Sequence, residues 1–291
     1  VSYDDDAYVR AMQNSIINDL FTRTADENYI TARWCADNGM RTDFFWLGVH
    51  ALEKYMKAVL LANGEAADKQ GHKIVEIHDE ISTFAGDLLP ADLEKPADLN
   101  IPHWRKQTLR SFLEHLYDNG NADNRYLIFG YAQHFEDVHK LDQAVFAYRR
   151  LICALDDRVI PDRVPNAPTF THRNQLKGNP RHFRSIGSSL PLDRLIRSKE
   201  ESPLRHTALN LNFSFAPDDY PHTSMAATSA SHNPVLFRRI FEPLKSTDIK
   251  TAEHGMKIAT WTLKNIKLPL DVKRDIEKAM VAARKSHPSL P

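Results

Sequence analysis

Apolar residues recur along the first half of the chain with a helical period. Tyr8, Met12, Ile16 and Leu20 stand four apart, and Val9, Ile17 and Phe21 widen the stripe. Asp4–Asp6 precede it, where negative charge favours a helix start. Thr24 with Glu27 fits a capping box and predicts a second helix to about Asp37, stopped at Asn38-Gly39. Thr42 and Asn63-Gly64 are the N-cap and stop expected for a third. Between them Phe44, Phe45, Trp46, Leu47, Val49, Leu52, Tyr55, Met56, Val59 and Leu60 cover much of the circumference. A helix this apolar belongs at the centre of a bundle. Further helices are expected over about Ile74–Leu89, His103–Tyr117 and Asn124–Asp156. No segment of this half alternates for long with period two. The pattern predicts an all-α protein with an antiparallel, up-and-down helical bundle.

Beyond Asp156 the periodicity weakens. Pro161, Pro165, Pro168, Pro180 and Pro191 would break any long helix, and residues 157–232 read as an irregular excursion with short elements. Helical patterning returns at Asn233-Pro234, with two more helices over Thr247–Ile266 and Leu270–Ser286. The expected organisation is a bundle over 1–156, the excursion over 157–232, and C-terminal helices over 233–291 that pack on the bundle.

The 291 residues carry 38 basic and 38 acidic side chains, a net charge of zero. That excludes a polybasic tail, so any nucleic-acid affinity has to come from a local patch. One such patch exists. Arg163–Arg184 holds Arg163, Arg173, Lys177, Arg181 and Arg184 with Phe170 and Phe183 interleaved, and no acid. Basic residues alternating with aromatics suit a single-stranded nucleic acid, through phosphate contacts and base stacking. The alternative is a solvated loop pairing with the acidic N-terminal segment. Two cysteines, Cys35 and Cys153, are too few for a disulfide framework and are expected to be reduced. No apolar run reaches membrane-spanning length and no basic-then-apolar leader opens the chain, so no membrane partner and a cytoplasmic location are expected.

Asp43–Ala58 reads DFFWLGVHALEKYMKA. Ala32-Arg33 lies upstream of it, Gly71-His72 downstream, and Arg125-Tyr126 heads the segment that follows. An Ala-Arg pair, an aromatic-rich helix with Glu53-Lys54-x-x-Lys57-Ala58, then Gly-His and Arg-Tyr, in this order, resembles the HEPN domains (higher eukaryotes and prokaryotes nucleotide-binding). The resemblance covers roughly residues 25–155. It implies a four-to-five helix bundle, commonly a homodimer, acting on nucleotides or RNA in defence, stress or toxin–antitoxin settings. Some such proteins pair with a small nucleotidyltransferase or an antitoxin. Others are metal-independent RNases with an Arg-x(4–6)-His motif.

That motif has one match, Arg110 with His115. A His can take the 2′-hydroxyl proton as general base while an Arg stabilises the phosphorane charge. Composition alone yields about three such matches in a chain of this make-up. Lys54 and Lys57 are phosphate contacts in one reading. In the other, Lys57 forms an i,i+4 pair with Glu53. Arg33 and Arg125 either line a phosphate-binding groove with them or pair with acids such as Glu53. Glu136-x-x-His139 is half of a di-iron signature without its second copy, and His-Glu-x-x-His, Cys-x-x-Cys and Gly-rich phosphate loops are missing. No metal and no cofactor are expected. The reading that follows is a nucleotide- or RNA-binding homodimer. An RNase using Arg110 and His115 is its first alternative, and a non-enzymatic docking module its second.

Overall fold

The computed structural model describes residues 5–68, 71–159, 170–181, 186–187, 189–224 and 229–290. The protein is all-α, mostly helical with one small two-stranded sheet among the described residues. Two compact units form. One comprises Val1–Asn121 with Gln133–Ser229, the other Ala122–Ala132 with Ala230–Pro291.

In the first unit α1 (Asp5–Ile17) runs through a π-helical turn, Asn18–Thr22, directly into α2 (Arg23–Asp37). The expected break at Thr24 does not occur. Its hydroxyl bonds back to the Leu20 carbonyl (2.9 Å) instead of capping a new helix. Gly39 and Gly64 adopt left-handed φ of 70° and 82°, the conformation that ends a helix, and so bracket α3 (Arg41–Ala62). Met40, not Thr42, is the residue before its first turn. As its all-round apolarity predicts, α3 is the central element, touched by α2, α4 (Ile74–Ala85), α5 (Leu109–Gly120) and α6 (Asp137–Arg149). Phe44, Phe45, Leu52, Tyr55 and Met56 are fully buried there. α5 approaches so closely that a Cβ at Gly120 would lie 2.3 Å from the Phe45 carbonyl oxygen.

Two expected helices are shorter than their pattern. Residues 103–107 are not helical, and Thr108, itself extended, caps α5 by accepting from the Ser111 N–H (3.0 Å). The long helix from Asn124 is replaced over its first third. The Asn124 side chain donates to the Gly130 carbonyl (2.6 Å) and accepts from the Phe129 N–H (2.9 Å), closing a loop in which Leu127 and Gly130 have positive φ. Strand β1 (Tyr131–Gln133) follows, and α6 begins only at Asp137. In the excursion, α7 (His172–Gly178), α8 (Pro191–Arg197) and α9 (Pro203–Leu209) are short helices. The Thr171 and Ser202 side chains cap α7 and α9.

The second unit pairs β1 with β2 (Ala230–His232), then continues through a π-turn (Phe237–Phe241) and α10 (Glu242–Leu244) into α11 (Ile249–Asn265) and α12 (Leu270–Ser286). Ile240, Met256 and Ile276 centre its core, with Ile128 packed against it. No helix among the described residues is long and apolar enough to cross a membrane. Neither Cys35 nor Cys153 forms a disulfide.

Candidate functional site

Helix α6 carries most of the polar chemistry of the first unit, and much of it is buried. Asp142 accepts from Tyr29 Oη (2.6 Å) and from Arg33 Nη1. Arg33 also donates to the carbonyls of Thr207 (2.8 Å) and Asn210. Burial opposes the Arg33 charge, but Asp142 overrides it and raises the pKa. One turn earlier, His139 is buried, and burial pushes its pKa down to about 4 against the smaller opposing effects of Asp142 and the Leu211 main chain. Near the end of the helix Arg149 binds Asp26 through Nε (2.9 Å) and Nη2 (3.0 Å), and Asp193 through Nη1 (3.1 Å). These groups are inside the protein and tied to each other. Arg33 is therefore an internal strut, paired with Asp142 and not with Glu53.

Three basic side chains surround Glu53. Lys57 donates to it at 2.8 Å, His72 Nδ1 lies at 2.9 Å, and His50 Nδ1 at 3.5 Å. Burial works against the carboxylate, yet these partners hold its pKa at about 2. Lys57 is the i,i+4 partner that the spacing predicts. Lys54 donates to the Asn28 side chain (2.6 Å). Arg125 belongs to the second unit, exposed, with its guanidinium 5.0 Å from the Tyr126 ring centre.

Arg110 and His115 do not converge. Residues five apart on a helix differ by roughly 140° around its axis. Arg110 is exposed and held by Asp79 (3.0 and 3.2 Å) and Glu114. The His115 imidazole is largely buried, with Nε2 3.1 Å from Asp137 Oδ2, edge-on to Phe45 and 5.6 Å from the ring of His134. Asp137 also accepts from the His134 N–H (2.8 Å), while its second oxygen is buried without a partner. A His oriented by a buried carboxylate has the form of a general base. The matching Asp137 escaped the sequence reading because α6 was expected to start at Asn124.

The outer face of α6 borders three adjoining cavities. One of about 400 Å³ is lined by Gln143, Phe146, Arg150, Lys177 and Ser214 among others. A second of about 580 Å³ adds Arg181, Phe213 and His222, and a third of about 370 Å³ is walled by Phe146, Arg181, Phe213 and Phe215. Gln143, Phe146, Arg181, Phe213 and Ser214 each border more than one, so the three form a continuous groove. Two members of the basic stretch, Lys177 and Arg181, reach it. Lys177 pairs with Asp87 at 2.5 Å, whereas Arg181 is exposed and has no ionic partner among the described residues. Arg173 turns elsewhere, to Asp156 (2.7 Å), Asp87 (3.1 Å) and the Phe84 carbonyl. Arg184 lies outside the described residues. Glu94, Asp98 and Asp218 also line the second cavity, so the groove is mixed in charge. Phe146 and Phe213 carried no sequence signal for a site, because they lie in segments far apart along the chain.

Among the described residues no group of three or more His, Cys, Asp or Glu side chains is placed to hold a metal ion. Glu136 of the half di-iron signature is occupied by the Arg105 N–H (3.2 Å) and Lys140 (3.4 Å). No family model matches the chain, and neither the curated proteins nor the solved structures contain a match to it.

Proposed function

We propose that the chain is a HEPN-like protein that binds a nucleotide or a short single-stranded RNA in the groove over α6. The observation that carries the reading is the combination of aromatic rings (Phe146, Phe213) with an unpaired guanidinium (Arg181) along one continuous concavity. Stacking platforms beside a cation are what a base with its phosphate requires. The acids in the second cavity disfavour a long polyanion and favour a mononucleotide or a few nucleotides. A homodimer in a defence, stress or toxin–antitoxin role, with a nucleotidyltransferase or antitoxin partner, is the setting the family resemblance implies.

The test is fluorescence anisotropy with a labelled short oligoribonucleotide and AMP as competitor. Arg181→Ala with Phe213→Ala should weaken binding by about tenfold or more, the size of one lost stack and one lost charge contact. The wild-type affinity should fall as salt rises. Binding indifferent to both salt and the double substitution would sink the proposal.

A second reading, the metal-independent RNase, draws its support from the His115–Asp137 pair. It predicts RNA cleavage that survives a chelator and vanishes in His115→Ala. The engagement of Arg110 with Asp79 and Glu114 counts against that Arg as the phosphorane partner.

A further inference from the structure

The charge of this neutral chain is divided unevenly. Residues 122–132 and 230–291, the second unit, carry 13 basic against 7 acidic side chains, and the rest of the chain carries 25 against 31. Part of the excess is ordered along α11. Lys250, Lys257 and Lys264 stand seven residues apart, a spacing that drifts only about 20° around a helix at each step. They form one line, about 10 Å between neighbours and about 21 Å from end to end. All three are exposed, and none forms an ion pair among the described residues. Glu253, the one acid within the helix, lies a turn from Lys250 and Lys257, is half-buried and pairs with neither.

Trp261 belongs to the same face. It follows Lys257 by four residues and precedes Lys264 by three, the two spacings that bring side chains together on a helix. It is 59% exposed. His254, seven residues before it and also exposed, continues the face. The opposite side of α11 is committed to the core of the unit through Ala252, Gly255, Met256, Ala259 and Thr262. A Cβ at Gly255 would lie 2.9 Å from the Pro243 side chain, so the helix is seated tightly against α10.

Unpaired cations with a large exposed aromatic between two of them are the parts of a single-strand site. The lysines meet phosphates, and the indole offers its surface to a base. Two other polyanionic partners fit less well. A helix seated in a membrane surface turns its apolar face to the lipid, and the apolar face of α11 is used in the core. A duplex keeps its bases stacked on one another, which leaves Trp261 nothing to stack on.

We propose that the outer face of α11 binds a single-stranded nucleic acid, with Lys250, Lys257 and Lys264 on its phosphates and Trp261 against a base. Contacts to phosphates and base faces do not specify the sugar, so RNA and DNA strands bind alike. The site shares no residue with the groove over α6 and does not rest on the groove proposal.

The experiment is fluorescence anisotropy of the full chain with a labelled oligouridylate long enough to span the lysine line. It is run on the wild type and on Arg181→Ala with Phe213→Ala, which disables the groove. Binding is expected in both, and unlabelled oligothymidylate should compete. Lys257→Gln with Lys264→Gln should reduce the slope of log affinity against log salt by about 1.4. Trp261→Ala should weaken binding by about tenfold or more, with most of it restored in Trp261→Phe. These positions are exposed, and circular dichroism checks that each variant keeps the native fold. Binding that disappears in the groove variant, or that is indifferent to the lysine and tryptophan changes, overturns the proposal. A duplex of the same length bound as tightly as the single strand overturns it too. So does sedimentation with phosphatidylserine vesicles that Trp261→Ala abolishes, when no oligonucleotide binds. Oligonucleotide binding that depends on α11 while AMP fails to bind supports this site and rejects the groove, so the two failures are told apart.

Discussion

The Asp26 carboxylate is the most heavily used acid in the first unit. It accepts from Arg149 Nε and Nη2, from Tyr55 Oη (2.6 Å) and from the Leu192 N–H (2.9 Å), and it is fully buried. Those donors come from α3, α6 and α8, so one side chain of α2 joins four helices. Asp26→Asn keeps the volume, removes the charge and turns an NH₂ toward groups that are all donors. Breaking a buried pair typically costs about 3–5 kcal/mol, because the surviving partner stays in the interior. Arg149 retains Asp193, which places the expected loss near the lower end, about 3 kcal/mol. At roughly 2–4 °C per kcal/mol for a domain of this size, Tm should fall by about 10 °C. Urea unfolding followed by tryptophan fluorescence checks it, since Trp34 lies on the same helix as Asp26. Arg110→Ala is the internal control: it removes an exposed pair with Asp79 and Glu114 and should cost no more than about 1 kcal/mol. If the two variants lose the same small amount, the buried network contributes nothing beyond a surface ion pair and the reasoning fails.

The acid limb of stability should divide between two residues. Burial holds His139 at about 4, below its ordinary 6.5, so the unfolded chain binds a proton that the native one refuses. Stability then falls as pH drops from about 6.5 to 4, by up to about 3 kcal/mol, and His139→Leu should flatten that window in pH-dependent denaturation. Glu53 has the opposite ionic form: its partners hold it at about 2 against an ordinary 4.5, so its contribution is complete above 4.5 and disappears as pH falls through 2. Glu53→Gln should flatten that lower window alone. A His139→Leu curve with the wild-type slope between pH 6.5 and 4 would refute the assignment.

The helical architecture was legible because the 3.6-residue period is a property of the apolar positions themselves. α3 is the clearest case, since a helix apolar all round has no solvated face and must be enclosed. The Gly39 and Gly64 stops were legible for a related reason, as positive φ restricts the residue type. Polar residues were read less well. Thr24 and Glu27 fit a capping box yet sit inside a continuous helix, because a hydroxyl bonds to a carbonyl one turn back as readily as to a free N–H. The segment after Asn124 kept an apolar period but lost its helix to the Asn124 side chain, a local competition that periodicity does not register. The site suffered similarly. Arg-x4-His counts positions along the chain, whereas convergence depends on angle, and five residues turn Arg110 and His115 toward different neighbours.

α6 brings these threads together. Its pattern holds Asp137, His139, Lys140, Asp142 and Arg149, which would ordinarily mark a solvated surface, yet each is buried. The ions face inward because residues 176–181 and 189–212 lie over them and are attached through polar groups: Arg150 to the Leu176 and Pro180 carbonyls, Arg149 to Asp193, Arg33 to the Thr207 and Asn210 carbonyls. Those residues and the ones just after them supply Lys177, Arg181, Phe213 and Ser214, the far wall of the groove. The wall is thus positioned by directional contacts whose geometry tolerates little sliding, whereas apolar packing alone would allow it. Charge buried in α6 costs stability locally and fixes the wall that carries Phe213 against the helix that carries Phe146.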